Sequence, residues 1–233
     1  MGKNDNGNNG RTELVFVVDR SGSMGGLESD TIGGFNSMLS KQRTIAGECR
    51  VTTLLFDHRI ETLHNHLDIR EVNDLTSRDY WVRGSTALLD AIGLAIDRMI
   101  VTQRHTAAAY RAQHVLFVII TDGYENASRR YSLHQIKQMI TYERERYHWE
   151  FVFLGANIDA EQTAGDFGIS PRCATDFHAD GQGIKASFEA VACAATAVRG
   201  GADLDDLSAP DFLGGVRDDY RSCLLYTSDA ADE

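Results

Sequence analysis

The sequence predicts one α/β domain of the doubly wound kind, a mostly parallel sheet with helices on both faces. Three observations carry that reading. Several short apolar runs are continuous rather than alternating, the pattern of strands buried on both sides. Segments between them place apolar residues at a 3.6-residue spacing, the pattern of helices with one buried stripe. The two kinds of segment alternate along the chain, the order from which layered α/β folds are built.

Leu14–Val18, Val115–Ile120 and Phe151–Leu154 are rich in Val, Ile and Phe and read as central strands. Val51–Phe56, which carries Thr52 and Thr53, is a fourth. Asp57-His58 and then Arg59–Leu67 follow it, with Ile60, Leu63 and Leu67 set among polar residues. So short a turn predicts a hairpin, which makes the Arg59–Leu67 strand antiparallel and places it at an edge. Cys173–His178 is a weaker sixth strand. Apolar stripes predict helices through Ile32, Phe35 and Leu39; through Leu88, Ile92, Ala95, Ile96 and Met99; through Leu133, Ile136 and Ile140; and through Ile184, Phe188, Val191 and Ala195. A shorter helix fits Asp159–Phe167. The order is β-α-β-β-α-β-α-β-α-β-α.

The 233 residues, 42% of them hydrophobic, suffice for a self-supporting core, since a chain of this length buries roughly 70% of its unfolded surface. A net charge of −11 argues against nucleic acid or an anionic membrane as partner and suits cation binding. No apolar run approaches the ~18–20 residues of a membrane span. Residues 1–10 carry no apolar stretch and read as a disordered polar tail, not a signal peptide, so the expected compartment is the cytoplasm. The domain is expected over residues 11–200. Residues 201–222 read as an acidic, weakly patterned C-terminal segment, expected to be truncated. The final string, Cys223–Glu233, resembles the translation of a transposase sequencing adapter and is excluded from the fold. Without those eleven residues and their three acidic groups, 222 residues and a net charge of −8 remain. Cys49, Cys173 and Cys193 have no Cys-x-x-Cys spacing, which argues against a zinc ribbon or a disulfide framework; they read as small buried hydrophobes.

In doubly wound sheets ligands bind beyond the carboxyl ends of the strands. After Leu14–Val18 stands Asp19-Arg20-Ser21-Gly22-Ser23-Met24; after Val115–Ile120, Thr121-Asp122-Gly123; before the helix near Ala87, Gly84-Ser85-Thr86. These loops offer two carboxylates and three hydroxyls, all hard oxygen donors, which select Mg²⁺, Ca²⁺ or Mn²⁺ over zinc or copper. Taken singly, Thr86 and Ser23 could be helix caps and Asp122 could make a turn. Together, and each in a loop at the same end of the sheet, Asp19, Ser21, Ser23, Thr86 and Asp122 read as one cation site.

These motifs resemble those of the von Willebrand factor A-type (vWA) domain with a complete metal-ion-dependent adhesion site (MIDAS). The family's Asp-x-Ser-x-Ser falls on Asp19, Ser21 and Ser23, its threonine on Thr86 and its second aspartate on Asp122. The words Phe-Val-Val-Asp-Arg-Ser-Gly-Ser-Met and Gly-Leu-Glu-Ser-Asp-Thr-Ile-Gly-Gly-Phe-Asn are similar to those of stand-alone bacterial members. The resemblance implies a Rossmann-like, six-stranded sheet in the order 3-2-1-4-5-6. It implies that Ser21, Ser23 and Thr86 meet the cation directly or through one water, and that Asp19 and Asp122 act largely through water. It implies an open coordination position for a Glu or Asp of a partner protein, with no nucleic acid, membrane or small-molecule substrate. Two carboxylates just neutralise a divalent cation and hydroxyls add no charge, so the metal stays attractive to an incoming acid. Mg²⁺ is favoured, because its octahedral shell readily keeps an exchangeable water.

Arg20 fills a free position of the motif, where it would steer an acidic ligand, pair with Glu28 or stand in solvent. Tyr80 and Trp81 would line a partner groove or pack on the first helix. His64 and His66, at i and i+2, would share one face of an exposed edge strand. The rival reading is a metal-dependent, phosphoesterase-like hydrolase built on Asp19. Haloacid-dehalogenase-type enzymes carry a second acid two positions on, where this chain has Ser21, and no Gly-x-Ser-x-Gly or Gly-x-x-x-x-Gly-Lys word is present. A binding module rather than an enzyme is therefore expected.

Overall fold

A computed structural model of the chain describes residues 10–229, with side chains for residues 10–222. Residues 1–9 of the expected polar tail and 230–233 of the adapter-like string lie outside the described residues. The elements are β1 (Thr12–Asp19), α1 (Glu28–Arg43), β2 (Cys49–Phe56), β3 (Ile60–Asp68), α2 (Leu88–His105), β4 (His114–Asp122), α3 (Leu133–Tyr147), β5 (Glu150–Ala156), α4 (Ala160–Phe167), β6 (Ala174–Asp176), α5 (Gly181–Arg199) and α6 (Gly214–Asp229). The six strands form one sheet in the order β3-β2-β1-β4-β5-β6. Only the β2–β3 pair is antiparallel, as the short Asp57-His58 turn requires.

The continuous apolar runs lie where such runs belong. Every residue of β1 is buried, as is every residue of β4 and β5 after the first. Helices α1 and α5 pack together on one face; α2, α3 and α4 follow one another across the other. Phe35 of α1 sets its ring edge-on to Phe16 of β1 at 5.3 Å and to Phe188 of α5 at 6.2 Å. The close approach of α1 to α5 depends on Gly34, where an added Cβ would stand 2.3 Å from the Phe188 ring. Gly34→Ala is therefore expected to lower stability by about 1–3 kcal/mol through overpacking, despite alanine's better helix propensity. Urea denaturation checks this; a variant as stable as the parent would mean that the two helices part without cost.

The edge strand departs from the sequence reading. His66 has a positive φ of 55°, and the β2–β3 register shifts on both sides of Thr53. The irregularity breaks the alternation of side chains. His64 is buried, its ring stacked on Phe35 of α1 at 6.4 Å and its Nδ1 3.0 Å from Thr53 Oγ1. His66 reaches the other face, where its Nδ1 lies 2.7 Å from the Glu13 carboxylate. The two histidines thus share neither a face nor a ligand, and His64 is a core residue.

The segment past residue 200 is also more ordered than its pattern suggests. Leu204, Leu213 and Val216 are buried, and α6 packs on α5 and β6. Arg217 donates to the Pro171 and Ala174 carbonyls at 3.1 and 3.2 Å. Three apolar anchors spread over thirteen residues were too sparse to read as a helical stripe. Among the cysteines, Cys49 and Cys173 are buried as expected, whereas Cys193 is exposed on α5.

Glu150, opening β5, lies near Asp203 and Asp205 of that segment; burial, and then those two carboxylates, push its pKa up to about 7. The folded state then holds a proton that the unfolded chain releases near pH 4.5, so stability falls as pH rises from about 4.5 to 7. Glu150→Gln should stabilise the protein by about 1 kcal/mol at pH 8, allowing for partial exposure, and by almost nothing at pH 4.5. Paired thermal melts at the two pH values check this; an equal effect at both would refute it.

Candidate metal centre

The sheet brings the three motif loops to one end. Asp19 closes β1 and Asp122 closes β4, its immediate neighbour. The Gly22 amide donates to the Gly84 carbonyl at 3.1 Å, which ties the first loop to the one that carries Thr86. Gly84 has a φ of +70°, and an added Cβ would stand 2.1 Å from His58 Nδ1, so only glycine fits that tie.

Within this frame the five expected residues meet. The Thr86 hydroxyl donates to Ser21 Oγ at 3.1 Å, the Ser21 and Ser23 hydroxyls lie 2.9 Å apart, and Ser23 Oγ donates to the Asp122 carbonyl. The hydroxyls therefore form a chain rather than cap helices; the residue at the start of α2 is Ala87, with no side-chain cap. Asp19 is fully buried. One of its oxygens accepts the Ser21 amide at 2.6 Å; the other accepts Thr121 Oγ1 at 2.8 Å and the Asp122 amide at 3.3 Å. Burial raises its pKa, and these hydrogen bonds oppose the rise. Asp122 is also raised by burial, opposed by Asn157, whose Nδ2 donates to its Oδ1 at 2.7 Å. Both carboxylates thus stand where a nearby positive charge would stabilise them.

The donor set fits a hard divalent cation. Oxygens at ~2.0–2.1 Å in an octahedral Mg²⁺ shell stand about 3 Å apart along each edge. The separations among Ser21, Ser23 and Thr86, 2.9 and 3.1 Å, match that edge. Among the described residues no group of three or more His, Cys, Asp or Glu could hold a metal, so carboxylates and imidazoles alone supply no rival site.

Several supporting residues escaped the sequence reading. Arg20 is neither a steering group nor a partner of Glu28. Its side chain is 1% exposed and runs beneath the loop to Asp57, at 3.2 Å, and Glu61, at 2.7 Å. Asp57, wholly buried, also takes Arg83 at 2.7 Å, the His58 Nδ1 at 3.0 Å and the Arg59 amide at 2.7 Å. Burial would raise its pKa, but Arg83 and the Arg59 amide hold it below the ordinary value. Trp81 is partly exposed, with the Arg83 and Arg20 guanidinium groups over its ring at 4.3 and 5.7 Å. Tyr80 is buried and donates to the Asp19 carbonyl at 2.6 Å. The start of α2 is satisfied from the loop after β4: Glu125 accepts the Leu89 amide at 2.9 Å, Ser128 the Asp90 amide at 3.0 Å and Asn126 the Thr86 amide at 2.9 Å. Only Asn157 had a usable signal, since it follows β5 at the same end of the sheet as the other loops.

No family model matches the sequence, and no curated protein matches it. Solved structures do. The vWF domain of the type V pili tip protein Mfa5 from Porphyromonas gingivalis superposes with a TM-score of 0.56 at 13% identity, over 81% of this chain and 96% of that one. The manganese-loaded TRAP protein of Plasmodium vivax gives 0.54 at 18% identity, over 77% and 72%. Proximal thread matrix protein 1 from the mussel byssus, with a zinc-occupied MIDAS motif, gives 0.53 at 13% identity, over 80% of this chain and 46% of that one. The chain thus spans just under half the length of the mussel protein. At such identities the likeness carries the architecture, and the architecture of this chain is the von Willebrand factor A-type fold.

Proposed function

We propose that this chain is a divalent-cation-dependent protein-binding module, with Asp19, Ser21, Ser23, Thr86 and Asp122 holding the cation. The observation that carries the reading is the run of three hydroxyls, Thr86–Ser21–Ser23, whose two successive separations match octahedral edges and which joins the loops that carry the buried Asp19 and Asp122. The manganese-loaded TRAP protein and the zinc-occupied MIDAS motif of the mussel protein support a divalent ion at this place in the fold, and Mg²⁺ is the favoured occupant here. When bound, the cation supplies a Lewis-acidic position that a Glu or Asp of the partner completes. The chain's own residues do the rest. Thr121 and the Asp122 amide hold Asp19 in place, Asn157 aims Asp122, and the Gly84 tie sets Thr86 against Ser21.

Calorimetric titration with Mg²⁺ and Mn²⁺ tests the reading. Wild type should bind one equivalent, and Asp19→Ala and Thr86→Ala should each lose at least tenfold in affinity. Undiminished affinity in both would overturn the site. A phosphoesterase screen with Mg²⁺ separates binding from hydrolysis: no turnover is expected, and turnover that depends on Asp19 would favour the hydrolase.

A further inference from the structure

Beside the hydroxyl trio lies a second feature. A basin of about 520 Å³ opens between the β2–β3 turn and the loop after β4, lined by His58, Arg59, Ser85, Asn126, Ser128 and Arg129 among others. It abuts the candidate metal centre: Ser85 precedes Thr86, and the Asn126 amide donates to the Thr86 carbonyl at 3.0 Å. Its volume falls in the range of binding pockets.

The charge of the basin runs against that of the chain. Arg59 and Arg129 are exposed, and among the described residues neither side chain has an ion pair or hydrogen bond. The one carboxylate lining the basin, Asp90, is turned onto the amides of Arg129, Arg130 and Tyr131 at 2.9, 2.8 and 2.9 Å. A protein with a net charge of −11 thus keeps two unpaired guanidinium groups beside its candidate cation. Guanidinium forks suit carboxylates.

We infer that the basin is a second anchor for the same partner, a protein segment with more than one acidic residue. This rests on the proposed function: one carboxylate completes the cation, and another, further along the segment, settles between Arg59 and Arg129. An acidic polypeptide is favoured over nucleic acid because the chain as a whole carries a net charge of −11 and because the cation position calls for a carboxylate.

Two probes test the inference on the full chain with Mn²⁺: N-acetylglutamate amide, with one carboxylate, and acetylated hexaglutamate. The Arg59→Gln/Arg129→Gln variant should lose at least tenfold in affinity for hexaglutamate and leave Mn²⁺ and the single-carboxylate probe unchanged. Arg78→Gln/Arg146→Gln, a control at two other exposed arginines, should lose less than twofold. Equal loss in both variants, no loss in the first, or stronger binding of oligothymidylate than of hexaglutamate overturns the inference. If wild type binds no Mn²⁺, the proposed function fails instead. Hexaglutamate binding in EDTA that still needs Arg59 and Arg129 would then uphold the basin alone, and its absence would end both.

Discussion

Asp57→Ala is expected to remove about 3–5 kcal/mol of stability. The reason is the state in which it leaves Arg20. That guanidinium is 1% exposed, and Asp57 is its one wholly buried counter-charge; Glu61, the other partner, is more than half exposed. Removing Asp57 strands a buried cation and releases Arg83, His58 and the Arg59 amide together. Arg20→Met should cost less, because Asp57 keeps Arg83 and the Arg59 amide. The double variant Arg20→Met/Asp57→Ala should recover the part of the loss that comes from the stranded Arg20 cation, since removing both members of a buried ion pair costs less than removing one. Urea denaturation of the three variants measures the cycle. A loss below about 1 kcal/mol for Asp57→Ala would show that the network is decoration on a loop held by other means.

The second large effect concerns the cation. Where Mg²⁺ stands at a hundred times its dissociation constant, binding to the folded state alone adds about 2.7 kcal/mol, a rise of ~5–10 °C in melting temperature for a domain of this size. Thr86→Ala should abolish that rise while leaving the metal-free melt nearly unchanged. The two aspartates should differ. Asp19 receives the Ser21 amide, the Thr121 hydroxyl and the Asp122 amide, so Asp19→Ala orphans buried donors and should cost about 2–4 kcal/mol even without metal. Asp122 receives only Asn157 at its side chain, and its burial disfavours its charge. Asp122→Ala should therefore melt at or above the parent in EDTA and no longer respond to Mg²⁺. Thermal melts with and without 10 mM Mg²⁺ decide the matter; a Mg²⁺ response surviving in Thr86→Ala would remove Thr86 from the site.

The fold was legible in the sequence because its determinants are local and periodic. A strand such as Val115–Ile120 declares itself by six consecutive apolar residues, and Leu88–Met99 by its stripe. The candidate site was legible because its donors fall in three short words, each placed by a strand end or a helix start. What escaped was non-local. Arg20, Asp57, Glu61 and Arg83 come from three loops and a strand, and no spacing announces that four charged residues will share one buried cluster. A charged residue in a loop reads as solvated until its partners are known, and Arg20, with partners 37 and 41 residues away, is such a residue. The reversal at His66 depends on one left-handed residue in a run that otherwise reads as plain strand, and it moved His64 from the surface to the core.

That same reversal bears on how copies of the chain meet. β3 is one outer strand of the sheet, nine residues long, and a regular strand of that length would offer a second molecule an unbroken row of amides and carbonyls to extend. The kink at His66 interrupts the row, and Glu61 and Asp68 add charge along it. The opposite border, β6, has three residues and little to offer. The sheet is thus closed to growth at both sides by different means, brevity at one and irregularity at the other, and association through strand addition is disfavoured however concentrated the protein becomes.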